Sequence, residues 1–183
     1  MANKSVTKTP STHFAQFLLE HGFINEDRFE KLVQKLTAKL GGAGDQASPQ
    51  EVADLLLDQK ILDEEDVAKA RAAFLNLPYI DLHNVNIIQE LLAIISEESR
   101  TFYRMVPYEL KASDLKVALE DPSNIQALEA LEFLGQKANY QIHIYLGSRA
   151  SIGTALKGSK NLSVVVGAAL KDIQKTEEVE LAA

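Results

Sequence analysis

Two short apolar segments separated by a mostly polar turn do most to restrict how this chain can fold. Residues 106–110 and 115–119 have the length and the alternation of β-strands, and residues 111–114 between them are typical of a tight hairpin loop. An Asp-Pro-Ser-Asn run at 121–124 then ends the second strand and begins a helix. A hairpin that leads directly into a helix predicts an α+β fold for this part of the chain.

The residues around the hairpin extend this pattern. The helix after residue 124 is expected to end at Gly135. Its apolar residues are expected to face inward: Ile125, Leu128, Leu131 and Phe133 or Leu134. Further elements are predicted on either side, namely a strand at 79–82, helices at 86–95 and 96–103, a strand at 140–146 and a helix at 148–158. Residues 76–158 are therefore expected to form a small α/β sandwich, with a three- to four-stranded sheet and helices packed on one face.

The N-terminal third shows two helical hairpins in tandem. Apolar residues at helical spacing end at a glycine, and a second helix follows with acidic residues in its first turn. The pattern recurs 38 residues later, so that Phe14, Leu18 and Phe23 correspond to Val52, Leu56 and Ile61. Any two amphipathic hairpins look alike, so periodicity alone leaves a true repeat and a coincidence both open. In either case residues 13–75 are predicted to be a helical hairpin subdomain, interrupted by a flexible glycine break at 41–44.

The two ends of the chain differ from these subdomains. Residues 1–12 are polar and are expected to be a disordered tail. Apolar residues recur at helical spacing over 162–174, which predicts an amphipathic helix, and the residues after it are acidic. Residues 159–183 are therefore interpreted as an amphipathic helix followed by an acidic linker or tail.

Composition excludes several classes of protein. The chain has no cysteine, which removes disulfides, thiolate metal sites and cysteine nucleophiles. No run approaches ~18 apolar residues, so direct membrane insertion is not expected. The net charge of −7 opposes attraction to a phosphate backbone, so nucleic acid is not an expected ligand. The four histidines show no metal-ligand spacing.

Catalytic motifs are missing as well. A nucleotide-hydrolysing motor needs a loop of the form G-x-x-x-x-G-K-S/T, because backbone amides and a lysine must surround the phosphates. The sequence contains no such segment, and the glycines at 41–44 lack the required lysine. No serine, threonine or lysine stands in a recognisable nucleophile motif. We predict a non-enzyme with no catalytic residues, no metal and no cofactor.

The order of motifs across 77–124 resembles one family. A Leu-Pro-Tyr-x-Asp-Leu entry at 77–82, a P-x-x-L strand at 107–110 and an L-x-V-A-x-x-D-P-x-N turn at 115–124 follow one another as in MshEN-like domains. These are the N-terminal domains of type II secretion and type IV pilus assembly ATPases. The resemblance extends more loosely over 14–157. It implies a cytoplasmic module, peripheral to the inner membrane through partners, with the ATPase domain normally C-terminal to it.

The resemblance also implies a partner. Domains of this kind tie the ATPase to the cytoplasmic domain of an inner-membrane platform protein. Tandem amphipathic hairpins suit such a role because apolar faces not needed for the core can accept a partner. The residues expected to contact the partner, together with the 162–173 helix, are Phe14, Phe17, Leu18, Phe23, Leu56 and Ile61. Each of them could equally be an ordinary core residue.

The alternative that the family implies is a cyclic di-GMP sensor. MshEN domains bind this dinucleotide through two segments that begin R-L-G-x-x-L. The matching positions here are His13, Phe14, Leu18, Gly22 and Phe23 in the first segment, and Val52, Leu56 and Ile61 in the second. His13 and Glu51 stand where the two arginines are expected, and a carboxylate repels a dianionic ligand. Binding of cyclic di-GMP is therefore possible but disfavoured.

Overall fold

The computed structural model describes residues 12–40 and 47–158, which divide into two compact units at Tyr79 and Ile80. We call them the helical unit and the sheet unit. The predicted disordered tail, apart from its last residue, lies outside the described residues. The same holds for the glycine break at 41–44 and for the 159–183 segment with its predicted helix at 162–174.

Four helices form the described part of the helical unit: α1 (Thr12–Glu20), α2 (Glu26–Leu40), α3 (Pro49–Asp58) and α4 (Glu64–Phe74). Two of these helices begin at side-chain caps. The Asn25 side chain accepts a hydrogen bond from the Arg28 amide at 3.0 Å, and Asp63 accepts one from the Asp66 amide at 2.8 Å. Each cap satisfies an amide that has no partner within its own helix.

The two hairpins make the same turn. After α1, the Phe23 amide donates to the Leu18 carbonyl at 2.8 Å; after α3, the Ile61 amide donates to the Leu56 carbonyl at 2.9 Å. The residue before each donor is left-handed, with φ +74° at Gly22 and +51° at Lys60. Residues 38 positions apart thus have the same backbone role, which favours a true repeat over a coincidence. Apolar side chains of both hairpins form one core: Phe14, Leu18, Leu32, Leu36, Val52, Leu56 and Val67.

The sheet unit is a mixed four-stranded sheet within the described residues. Its strands are β1 (Tyr79–Ile80, at the boundary of the units), β2 (Met105–Lys111), β3 (Asp114–Leu119) and β4 (Gln141–Gly147), in the order β1-β4-β3-β2. The helices are α5 (Gln89–Leu92), α6 (Glu97–Phe102), α7 (Ile125–Ala138) and α8 (149–158). β2 and β3 form the predicted antiparallel hairpin, whereas β4 lies parallel to β3 after the α7 crossover. The α+β class predicted from the sequence is confirmed.

Helices pack on both faces of the sheet, not on one face as the sequence predicted. Val117 of β3 faces a cluster that includes Leu131 of α7, and Ala118 faces a cluster that includes Ile152 of α8. Successive residues of a strand point to opposite faces, and here both are fully buried. The expectation failed because the apolar residues of 149–158 did not indicate which face of the sheet they would cover.

Gly135 lies inside α7, although the sequence predicted that it would end the helix. The helix continues to Ala138 and ends at Asn139, which is left-handed with φ +56°. A Cβ atom at Gly135 would lie 3.0 Å from the Tyr140 carbonyl oxygen and 3.2 Å from Cγ1 of Ile142. The glycine is therefore needed for the close approach of α7 to the start of β4.

Candidate functional site

Three of the six residues predicted to contact a partner are buried in the core of the helical unit. Phe14, Leu18 and Leu56 are almost inaccessible, and they pack with the other helices of the unit. The prediction of direct contact is therefore corrected for these three, because apolar spacing identifies a buried face without telling what covers it. Phe17, Phe23 and Ile61 are partly exposed at the edge of the same core.

An aromatic edge of the helical unit is built from Phe17, His21 and Phe23. The rings of Phe17 and His21 stack with centroids 3.9 Å apart, and the Phe23 ring lies 6.4 Å from that of Phe17. The Phe74 ring of α4 makes an edge contact with the Phe17 ring, with the ring centroids 5.4 Å apart. His21 was not predicted to belong to this edge. It lies four residues after Phe17, a spacing that places two side chains on the same face of a helix.

The two positions where the family has arginine are both at the surface of the helical unit. His13 is exposed near the start of α1, and Glu51 is exposed in the first turn of α3. The Ser48 amide donates to Oε2 of Glu51 at 2.7 Å, and the Glu51 amide donates to Oγ of Ser48 at 3.2 Å. Hydrogen bonds from Ser48 lower the pKa of Glu51. The carboxylate at the second arginine position is therefore both ionised and occupied as a helix cap.

The other matched positions retain the backbone of the two segments. Gly22 and Lys60 occupy equivalent left-handed turns, as described above, and Leu18 and Leu56 occupy equivalent core sites. Val52 is fully buried beside them. The structure thus keeps the helical frame of both segments, while His13 and Glu51 change the charge at their starts.

Two large apolar side chains are exposed on α7. Ile125 was expected to face inward but is 69% exposed. Of the alternatives Phe133 and Leu134, Leu134 packs against the core, whereas Phe133 is 66% exposed. The helical repeat carries both exposed residues off the stripe that buries Ala127 and Leu131. We call Ile125, Phe133 and the grooves beside them the α7 surface.

Two apolar grooves flank α7. One, of about 420 Å³, lies between α7 and β4 and includes Leu128, Tyr140, Ile142 and Ile144 in its lining. The other, of about 250 Å³, lies towards the segment that joins α5 and α6; Ile94, Ile95, Phe133 and Leu134 are among its lining residues. Exposed apolar patches of this kind are typical of interaction sites.

The part of the chain that the structure describes shows neither a candidate metal site nor a helix that could cross a membrane. There, no group of three or more histidine, aspartate or glutamate side chains is placed to hold a metal ion. No helix of the described residues has the length and apolar character needed to cross a bilayer. The features that remain for function are the aromatic edge, the α7 surface and a cluster of basic side chains beside α8.

Solved structures with a similar fold include MshE and the N-terminal domain of XpsE. A structure of MshE with cdg superposes with a TM-score of 0.62 at 20% identity, covering 80% of this chain and 98% of that one. The N-terminal domain of XpsE gives a TM-score of 0.54 at 18% identity, covering 82% and 96%. At these identities the likeness shows the fold alone.

The sequence comparisons agree with this likeness. Residues 75–161 match the MshEN domain, and the chain is similar to the N-terminal region of type IV pilus assembly ATPases. PilB of Myxococcus xanthus is 29% identical over 107 residues, which cover 56% of this chain, and PilB of Thermus thermophilus is 24% identical over 119 residues, which cover 64%. The matches span only 18% and 12% of those two proteins.

Proposed function

We propose that this chain is a non-catalytic docking and regulatory module of a type II secretion or type IV pilus assembly ATPase. Its partner is the cytoplasmic domain of an inner-membrane platform protein, so the module is cytoplasmic and peripheral to the membrane through that partner. The ATPase domain is expected C-terminal to this region. The matches to the N-terminal region of PilB support this placement.

The observation that carries the proposal is the exposed apolar α7 surface. Phe133 and Ile125 are large side chains that remain mostly in contact with water in the described structure. Burial of apolar area is favourable by about 25 cal/mol per Å². A partner helix or strand that covers these two residues and enters a neighbouring groove would gain that energy without reorganising the module.

The charges around the α7 surface indicate what kind of partner fits. Glu129 and Glu132 are exposed on α7, and Glu132 lines the groove towards β4 and accepts a hydrogen bond from Gln136 at 3.2 Å. The exposed Lys137 lines the other groove. Like charges across an interface are unfavourable, whereas complementary charges steer association. The matching surface of the platform protein is therefore expected to have an apolar centre, with a basic side chain opposite Glu132 and an acidic one opposite Lys137. The aromatic edge, with Phe17, Phe23 and Ile61, is a second docking surface that the proposal retains.

Phe133→Glu is expected to weaken binding of the platform protein's cytoplasmic domain at least tenfold. A charge at the centre of an apolar interface loses the burial of the ring and must itself be desolvated, and losses of about 2 kcal/mol are typical of such positions. Affinity is measured by calorimetry with the purified cytoplasmic domain. Ile88→Glu is the matched control, because Ile88 is also exposed, at 55%, but is outside both groove linings. Equal affinities for the wild type and Phe133→Glu would remove the α7 surface from the proposal.

The alternative proposal is a cyclic di-GMP sensor. The likeness to MshE with cdg and the equivalent turns at Gly22 and Lys60 favour it. The ionised, capped Glu51 opposes it, because a carboxylate stands where the family has an arginine and repels a dianionic ligand. The docking function is therefore preferred.

Calorimetric titration with cyclic di-GMP is expected to give no binding heat at ligand concentrations of about 100 μM, which corresponds to a free energy weaker than about −5.5 kcal/mol. The reason is the loss of both arginines, which cannot be replaced by His13 and Glu51. His13→Arg combined with Glu51→Arg is the matched control, because it restores the charges on the same helical frame. Micromolar affinity in the wild type would make the sensor function the correct one.

A further inference from the structure

A cavity of about 550 Å³ beside α8 is lined by basic and hydroxyl side chains. It lies on the sheet unit, away from both grooves of the α7 surface. Its described lining includes Thr101, Arg104, Arg149, Gly153, Thr154 and Lys157. The volume is in the range of small-molecule sites, which is about 300–1,000 Å³.

Glu120 holds the two arginines in place. Its Oε2 accepts a hydrogen bond from Nε of Arg104 at 2.8 Å, and its Oε1 accepts one from Nε of Arg149 at 2.7 Å. Nη2 of Arg104 also donates to the Arg149 carbonyl oxygen at 3.2 Å. The Glu120 side chain is only 13% exposed, whereas that of Arg149 is 53% exposed. The largely buried Glu120 carboxylate therefore positions two guanidinium groups, both of which remain accessible to solvent.

The charge of the cavity is opposite to that of the whole chain. Arg104, Arg149 and Lys157 oppose the single carboxylate of Glu120 among the described residues at the cavity, which leaves an excess of two positive charges. The complete chain carries −7. A positive cleft on a negative protein concentrates anions at that place and not elsewhere on the surface.

Arg149 is also placed where a cation is unfavourable on its own. It is the first residue of α8, after Ser148, which caps the helix by accepting a hydrogen bond from the Ser151 amide at 3.2 Å. The N-terminal end of a helix carries a partial positive charge and prefers an anion. Arg149 already pairs with Glu120, and an anion bound beside it would add a second negative partner near this helix end.

The number and kind of donors favour a phosphoryl group over a carboxylate. The lining carries two guanidinium groups, partly engaged by Glu120 and by the Arg149 carbonyl, together with one ammonium group and the hydroxyls of Thr101 and Thr154. A carboxylate has only two oxygens to accept hydrogen bonds from such a set. A phosphoryl group has three oxygens that accept hydrogen bonds from such donors. We propose that this cavity is a binding site for a small phosphoryl-bearing molecule, distinct from the docking surface.

Inorganic pyrophosphate is the probe for this site, titrated into the full chain by calorimetry. The dissociation constant is expected to be below about 1 mM. Binding should weaken as the sodium chloride concentration is raised, because exposed charges are screened. Arg149→Gln and Lys157→Gln should each weaken it about tenfold, the effect of losing one charge-assisted hydrogen bond. Lys111→Gln is the matched control, since Lys111 is an exposed lysine of the same unit at the end of β2, outside this cavity.

Gly153→Leu tests the cavity without removing a charge. A Cβ atom at Gly153 would meet Nη2 of Arg104 at 3.5 Å, an ordinary contact, so the helix tolerates it and the rest of the side chain fills the cavity. Loss of pyrophosphate binding with an unchanged melting temperature supports the site. Absence of binding to the wild type, or equal weakening by Lys111→Gln, would overturn it. Binding of a hexaglutamate peptide but not of pyrophosphate would also overturn it and would make the cavity a protein contact.

Discussion

Leu56→Ala is expected to lower the free energy of unfolding of the helical unit by about 2–5 kcal/mol, the usual cost of removing a buried leucine and leaving a cavity. Leu56 is fully buried and packs in the core with side chains of the other hairpin. For a unit of this size, each 1 kcal/mol lowers the melting temperature by about 4–8 °C. The transition is followed by far-ultraviolet circular dichroism.

Ile61→Ala is the matched control for Leu56→Ala. Ile61 ends the same turn and donates its amide to the Leu56 carbonyl, but its side chain is only partly buried. Its truncation should therefore cost less than that of Leu56, because less apolar area returns to water. An unchanged melting temperature in Leu56→Ala, together with lost partner binding, would instead return Leu56 to the docking surface where the sequence analysis placed it.

Leu131→Ala is expected to destabilise the sheet unit by about 2–5 kcal/mol. Leu131 is the buried residue through which α7 contacts the cluster on β3, and only 2% of it is exposed. Its loss would leave a cavity between the helix and the sheet, because the surrounding structure relaxes only partially. Chemical denaturation with urea measures the change through the midpoint of the transition.

Phe133→Ala separates stability from binding on the same helix. Phe133 is two residues beyond Leu131 but is largely exposed, so its truncation should change stability by no more than about 0.5 kcal/mol. It should nevertheless weaken platform binding, for the reason given for Phe133→Glu. A large loss of stability in Phe133→Ala would show that Phe133 has a structural role and that the α7 surface is smaller than proposed.

Local patterns predicted much of this fold because they depend on neighbouring residues. Caps such as Asn25, Ser48 and Asp63 satisfy amides three residues away, so a short window of sequence contains the whole interaction. The β2–β3 hairpin is equally local.

Other predictions failed where distant parts of the chain meet. Phe133 is different, because the helical repeat alone carries it off the stripe of the buried Leu131 two residues earlier. Gly135 has the composition of a helix end, but its role is set by the Tyr140 carbonyl and Ile142 across a close contact. Helical periodicity correctly identified the apolar stripe that contains Phe14 and Leu18. It could not show whether other helices of the same unit or a separate partner protein cover that stripe.

The sequence by itself determined the α+β class, the two helical hairpins and the resemblance to the MshEN domain. These follow from dihedral preferences, caps and apolar periods that act over a few residues. Only the tertiary structure decided that both faces of the sheet are covered, and that Arg104, Glu120 and Arg149 meet at one cavity. Arg104 and Arg149 are far apart in sequence, and packing of α8 against the sheet brings them together because burying Ile152 and Leu156 fixes where that helix lies.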